Sequence, residues 1–150
     1  MNNRSAYDQR IDEISSPSNR TEVLGVLVMD INDLKVINDT KGHKEGDIAL
    51  KDFTSCILKL LPENAEVFRI GGDEFVAFIP TIMDDRLEQL ATTITEFFKA
   101  RKTTYTVAVG WSLYIPRKKE KFINIIHSAD SSMYLCKAIM KQQRVVNLDS

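Results

Sequence analysis

AEVFRIGGDEFVAFIP, residues 65–80, decides the fold. Two runs rich in β-branched and aromatic residues, 65–70 and 75–80, flank Gly71, Gly72, Asp73 and Glu74. A short glycine-containing link between two such runs predicts an antiparallel hairpin. Upstream, VLGVLVMDI (23–31) is almost continuously apolar and predicts a strand buried on both faces, ending in the acid Asp30. Between them, residues 48–61 set Ala49, Phe53, Cys56, Ile57 and Leu60 on one helical face. Asp47 is placed to cap that helix and Pro62 to end it. Downstream, residues 84–101 carry an apolar stripe of Leu87, Leu90, Ala91, Ile94, Phe97 and Phe98, and TYTVAVGWSLYI (104–115) is the longest β run.

The order strand, helix, hairpin, helix, strand is a βαββαβ pattern, which predicts an α+β, ferredoxin-like sheet with helices on one face. A right-handed crossover from the first strand returns the second parallel to it, with the third between them. Around this core lie a short amphipathic helix at 4–14, a loop at 15–21 and a helical turn carrying Leu34 and Ile37. A polar loop punctuated by Gly42 and Gly46 follows that turn. After the last core strand come a charged loop, RKKEK (117–121), and a helix over 122–141. That helix sets Phe122, Ile125, Ile126, Ala129, Met133 and Lys137 near one face, and RVVNL (144–148) is expected as a short closing strand. No repeat or long linker divides residues 1–150, so a single domain is expected.

Composition narrows the function classes. The chain has 150 residues, 43% hydrophobic and 27% charged, which excludes collagen-like, low-complexity and wholly disordered chains. Twenty basic residues against 21 acidic ones leave a net charge of −1, too balanced to grip nucleic acid by bulk electrostatics. Cys56 and Cys136 form no C-x-x-C pair and read as half-buried apolar thiols in a reducing compartment. No apolar run reaches the roughly 18 residues of a membrane span, and the polar start MNNRSAYDQR is no signal peptide. A soluble, cytoplasmic chain without membrane contact is expected.

The topology delivers Asp30 to the sheet edge that carries Asp73 and Glu74. Three carboxylates there repel one another unless a cation sits among them, and a hard divalent ion such as Mg²⁺ suits oxygen ligands and substrate phosphates. Two such ions about 3.5–4 Å apart are a common device for in-line phosphoryl transfer. Gly71 and Gly72 remove side chains beside the acids and let backbone approach a phosphate. Taken alone, Gly-Gly-Asp-Glu favours an ordinary hairpin with solvated acids; the buried strand ending in Asp30 shifts the balance.

DINDLKVINDTKGHKEGDIAL (30–50) followed by RIGGDEFVAFIP (69–80) closely resembles the GGDEF domain, the diguanylate cyclase family. The match runs from Asn3–Arg4 to the lysines of the last helix. The resemblance implies a nucleotide cyclase or palm-like core and an enzyme that joins two GTP molecules into cyclic di-GMP. It implies that Asp30, Asp73 and the backbone carbonyl of Ile31 hold Mg²⁺ or Mn²⁺, two ions per site when GTP is bound. Glu74 becomes the catalytic acid that helps activate the 3′-hydroxyl. Asn38 and Asp47 recognise guanine, whose N1–H and N2–H donors suit a carboxylate and an amide. Lys35, Lys137 and Lys141 contact the triphosphate, and Gly71 and Gly72 line its path. Because each domain holds one GTP, catalysis needs a homodimer about a two-fold axis. The family's upstream half-motif before Asn3 is absent, so a fused or associated sensory or dimerising module is expected, and the parent protein can be membrane-anchored.

Plainer readings stand beside these. Asn38 and Asp47 suit a turn and a cap, and lysines are commonly solvated. His43 reads as structural, His127 as surface or interface, Trp111 as a packing anchor, and Met133 and Met140 as core or helix-face fillers. Departures from the family pattern are Asn32 for a second Asp, Leu34 for Phe, Met140 for Gly and Lys141 for Arg; lysine keeps the charge but loses the bidentate fork. The family's R-x-x-D product-inhibition motif is replaced by Pro62, Glu63, Asn64 and Ala65, so tight inhibitory binding of product there is not expected. Two alternatives to an active cyclase remain at this point: a GTP-binding regulatory module without turnover, and a relative making a mixed guanine–adenine dinucleotide, against which Asp47 argues.

Overall fold

The computed structural model describes residues 1–16, 22–101 and 105–149. Its centre is β1 (Leu24–Ile31), which is buried at all eight positions. β2 (Glu66–Arg69) and β3 (Glu74–Pro80) form the hairpin, and β4 (Val107–Tyr114) flanks β1 on its other side. The sheet order is β2-β3-β1-β4 with every neighbouring pair antiparallel, so β2 runs parallel to β1 across β3. This is the ferredoxin-like order. The register pairs Leu24 with Pro80 at one end and Asp30 with Glu74 at the other.

Both faces of β1 are covered, which is why its sequence is apolar at successive positions. Leu27, Met29 and Ile31 share a core with Phe75, Ala77 and Ile79 of β3, beneath α3 (His43–Leu60) and α4 (Asp84–Ala100). Val26 and Val28 share the opposite core with Val76, Phe78 and Ala108. That face is closed by α1 (Arg4–Ser15) and α5 (Phe122–Asp149). The expectation of helices on one face therefore holds for α3 and α4, while α1 and α5 add a third layer. Tyr7, Phe68, Phe78, Phe122 and Tyr114 join that layer to the sheet, with successive ring centroids 5.0 to 5.7 Å apart. Each such pair adds about 1 kcal/mol beyond its buried area. α5 seats closely because Gly110 has no side chain: a Cβ there would lie 2.0 Å from the Ala129 carbonyl oxygen.

Three local expectations are corrected. α3 begins at His43, and its N-cap is Gly42, so Asp47 lies inside the helix and caps nothing. Gly42 takes φ +90° and donates its N–H to the Asn38 carbonyl, ending α2 (Leu34–Lys41) and starting α3 in one residue. The expected polar loop is thus absorbed into helix. RVVNL is helical too, because no glycine or proline after Pro116 stops α5, which runs on to Asp149. The charged loop forms a 3-10 turn at Pro116–Lys118. Residues 17–21 of the expected loop and Thr104, where the last β run was expected to begin, lie outside the described residues. Both cysteines are half-buried and free, Trp111 packs on the first core, and Met133 and Met140 belong to the second. Among the described residues, no helix is long and apolar enough to cross a membrane.

Candidate active site

Alternation along β1 sends Met29 and Ile31 toward α3 and α4, so Asp30 faces α5. Glu74, its register partner, shares that face with Val76 and Phe78. The Ile31 N–H donates to the Asp73 carbonyl at 3.0 Å, which fixes the hairpin acids against the end of β1. Lys137 of α5 donates from Nζ to Asp30 Oδ2 at 2.5 Å. The other carboxylate oxygen, Oδ1, is buried and, among the described residues, accepts no hydrogen bond.

Burial pushes the Asp30 carboxyl above the usual carboxylate range; Lys137 pulls it down and neighbouring Asp73 raises it again. Burial likewise raises Glu74, helped by the charges of Asp130 and Asp30. Burial works against the Lys137 charge, yet its bond to Asp30 and the nearby carboxylates hold its pKa above the ordinary lysine value. Carboxylates perturbed by burial and like charge cluster at functional sites.

The turn between β2 and β3 is closed by Ile70 and Gly71 N–H groups donating to the Glu74 carbonyl, at 3.0 and 3.3 Å. Arg69 braces it by donating to the carbonyls of Gly71 and Gly72, at 3.2 and 2.8 Å. Neither glycine has positive φ. A Cβ on Gly72 would meet nothing within 4 Å, and one on Gly71 only the Glu74 Cβ at 3.7 Å. Neither the backbone nor the packing requires glycine here; the open ground beside the acids is what glycine provides.

Asp30, Ile31, Asp73, Glu74 and Lys137 thus come together. Asn38 and Asp47 form a second group at the α2–α3 corner: a Cβ on Gly46 would lie 1.7 Å from Asn38 Oδ1, so that side chain rests on the backbone beside exposed Asp47. Lys35 is exposed in the first turn of α2, and Lys141 is exposed one turn beyond Lys137 on α5. Among the described residues, no three His, Cys, Asp or Glu side chains gather into a metal-binding group.

Several contributors lie outside the sequence expectations. Asp130 of α5 raises Glu74, and the two carboxylates line a cavity of about 490 Å³ between α1 and α5 together with Tyr7 and His127. Burial drives the Tyr7 hydroxyl up to about 12, so it stays neutral there. Asn32 is buried, donates its backbone N–H to the Thr106 carbonyl at 2.8 Å and its amide to Thr106 Oγ1 at 3.0 Å. It ties the end of β1 to the entry of β4. Arg144 pairs with Asp33 just past the acids. The only sequence hint of these was spacing: Asp130 and Arg144 sit about two turns on either side of Lys137 on α5.

The chain matches the family described as diguanylate cyclase, GGDEF domain, over residues 1–143. It is 25% identical over 143 residues to diguanylate cyclase DgcN of Escherichia coli K12, covering 90% of this chain and 35% of that protein. Among solved structures, the GGDEF domain of PA1120 (YfiN or TpbB) from Pseudomonas aeruginosa superposes with a TM-score of 0.76 at 28% identity, covering 91% of this chain and 89% of that one. The GGDEF domain of DgcB from Caulobacter crescentus, in complex with c-di-GMP, superposes at 0.70 with 25% identity, covering 91% and 85%. The chain spans about a third of the length of the curated cyclase it matches.

Proposed function

This chain belongs to the GGDEF family of diguanylate cyclase domains, and from that premise we propose that it condenses two GTP molecules into cyclic di-GMP with release of two pyrophosphates. The observation that carries the proposal is Asp30: a buried carboxylate with one unpartnered oxygen, set opposite Glu74 and beside Asp73. A buried acid left half-satisfied costs stability, and a cation is what its remaining lone pairs suit.

The donor set fits magnesium, which takes one or two carboxylates and fills its shell with water and substrate phosphates. Asp30, Asp73 and the Ile31 carbonyl would hold it, with Mn²⁺ as an equivalent and two ions per site once GTP is bound. Such ions supply charge neutralisation on the phosphates and a more acidic attacking hydroxyl. Glu74 accepts the proton of the 3′-hydroxyl, and its raised pKa makes the ionised form a better base. The freed oxygen attacks the α-phosphorus of the second GTP as the bond to pyrophosphate breaks, and the step repeats to close the ring. Asn38 and Asp47 read guanine; Lys35, Lys137 and Lys141 bind the triphosphate, Lys137 turning away from Asp30 to do so. Gly71 and Gly72 leave room for the phosphates. One GTP per domain requires two copies facing each other about a two-fold axis. A further part of the parent protein, sensory or dimerising, would bring them together.

A second reading is a GTP-binding regulatory module without turnover. The Lys137–Asp30 pair favours it, since an internal cation already occupies the acid. Incubating the chain with GTP and Mg²⁺ at high concentration or under forced dimerisation, then separating products by chromatography, distinguishes the two. Cyclic di-GMP is the expected outcome; GTP binding without product supports the module. A mixed dinucleotide from GTP plus ATP would mean altered base choice, and Asp47→Ala is expected to weaken the preference for GTP over ATP.

A further inference from the structure

α5 carries Lys137, Lys141 and Arg144 at spacings of four and three, so the three cations share one stripe of the helix. The first of them meets Asp30. The last meets Asp33, with Arg144 Nη2 at 2.5 Å from Oδ2 and Nη1 at 3.4 Å from Oδ1. Those two acids are three residues apart on the segment that leaves β1 and enters α2, so the stripe runs alongside that segment and Lys141 lies between the two contacts. Arg144 reaches this position only because α5 continues past Lys141 without a stop.

Asp33 is an unusual partner. It occupies the N-cap position of α2 in the left-handed region, φ 67°, yet its side chain makes no capping hydrogen bond. Its carboxylate is given to Arg144 instead. The pair is open to solvent: the Arg144 side chain is 54% exposed and that of Asp33 32%. An ion pair this exposed is weakly held. A triphosphate bound beside Lys35 and Lys137 offers a guanidinium a denser anion with matching bidentate geometry.

We propose that Arg144 is a triphosphate-binding residue, parked on Asp33 until nucleotide arrives. This rests on the reading of the site as a GTP site. When GTP binds, the guanidinium leaves the Asp33 carboxylate for phosphate oxygens, and Asp33 acts as a competitor that lowers affinity. The two partners of one ion pair therefore have opposite effects on binding.

Calorimetric titration of the full chain with GTP and with GMP, each with Mg²⁺ and with EDTA, tests this. Arg144→Ala is expected to weaken GTP about tenfold and to leave GMP nearly unchanged, with Arg144→Lys in between. Asp33→Asn keeps a residue that tolerates the left-handed backbone and is expected to tighten GTP a few-fold. If Arg144→Ala and Asp33→Asn both weaken GTP and GMP alike, the pair merely holds the loop and the proposal is overturned. Unchanged GTP affinity in Arg144→Ala overturns it as well. A wild-type chain that binds neither nucleotide overturns the nucleotide reading itself, a result visible before any variant is made.

Discussion

Asp30 and Asp52 are both carboxylates paired with a cation, and they differ in almost every consequence. Asp52, on α3, accepts two hydrogen bonds from the Arg101 guanidinium, at 2.8 and 3.0 Å, and one from the Tyr105 hydroxyl at 2.6 Å. Arg101 in turn lies 5.5 Å over the Phe97 ring and donates to Cys56 Sγ. The Arg101 bond outweighs burial and holds the Asp52 carboxyl below the usual range. Asp30 is far less exposed, 10% of its side chain against 31%, yet it has one cation, one orphaned oxygen and a raised pKa. The cluster around Asp52 is complete within the chain and pins the end of α4 and the approach to β4 onto α3. The cluster around Asp30 is incomplete among the described residues. Asp52 is satisfied by the fold and stabilises it; Asp30 is buried and left half-satisfied, the kind of acid that clusters at functional sites.

The sharpest test of this contrast is Glu74→Gln, which removes one of the crowded acids. It is expected to cost about 10²–10⁴ in cyclic di-GMP formation, with GTP affinity kept. The thermal midpoint should hold or rise, because repulsion from Asp130 and Asp30 is relieved. A fall in stability comparable to that of a core substitution would erase the distinction between the two clusters.

At the other cluster the signs reverse. Asp52→Ala is expected to cost about 1–2 kcal/mol in urea unfolding, discounted for partial exposure, with GTP binding by the folded protein unchanged. The smallest effect is in its pH dependence. The folded-state pKa of Asp52 lies below its ordinary value of 3.8, so its contribution is fully present above that value and is lost as pH falls through the depressed pKa. The stability gap between wild type and Asp52→Ala should be constant near neutrality and close below about pH 4. A gap that instead widens with acid would show Asp52 to be a strained group like Asp30.

The strands were legible because their pattern admitted one solution. A run as apolar as VLGVLVMDI fits only a doubly covered strand, and the glycine turn fixed the hairpin, so the meeting of Asp30 with Asp73 and Glu74 followed from topology. The α2–α3 corner was hidden in a single backbone angle: Gly42 at φ +90° replaces what composition alone makes a loop. The length of α5 was legible in principle, as a missing stop signal, but RVVNL is β-branched and helix continuation won over local preference. Lys137 on Asp30, Asp130 on Glu74 and Arg144 on Asp33 had nothing beyond helical spacing to mark them in the sequence. They depend on how α5 is phased against the sheet, and that phase is set by the contact of Gly110 with Ala129 and Met133. Arg69, two residues ahead of the glycines, carried no pattern to mark it as the brace of the turn.

Asn2 forms a parallel bridge with Phe68, its N–H donating to the Val67 carbonyl at 3.0 Å and its carbonyl accepting from the Arg69 N–H at 2.8 Å. Arg69 is also the residue that clasps the glycine turn. Asn2 is therefore tied by two backbone bonds to the strand that leads into the turn, beside Val67 and Phe68, which belong one to each core.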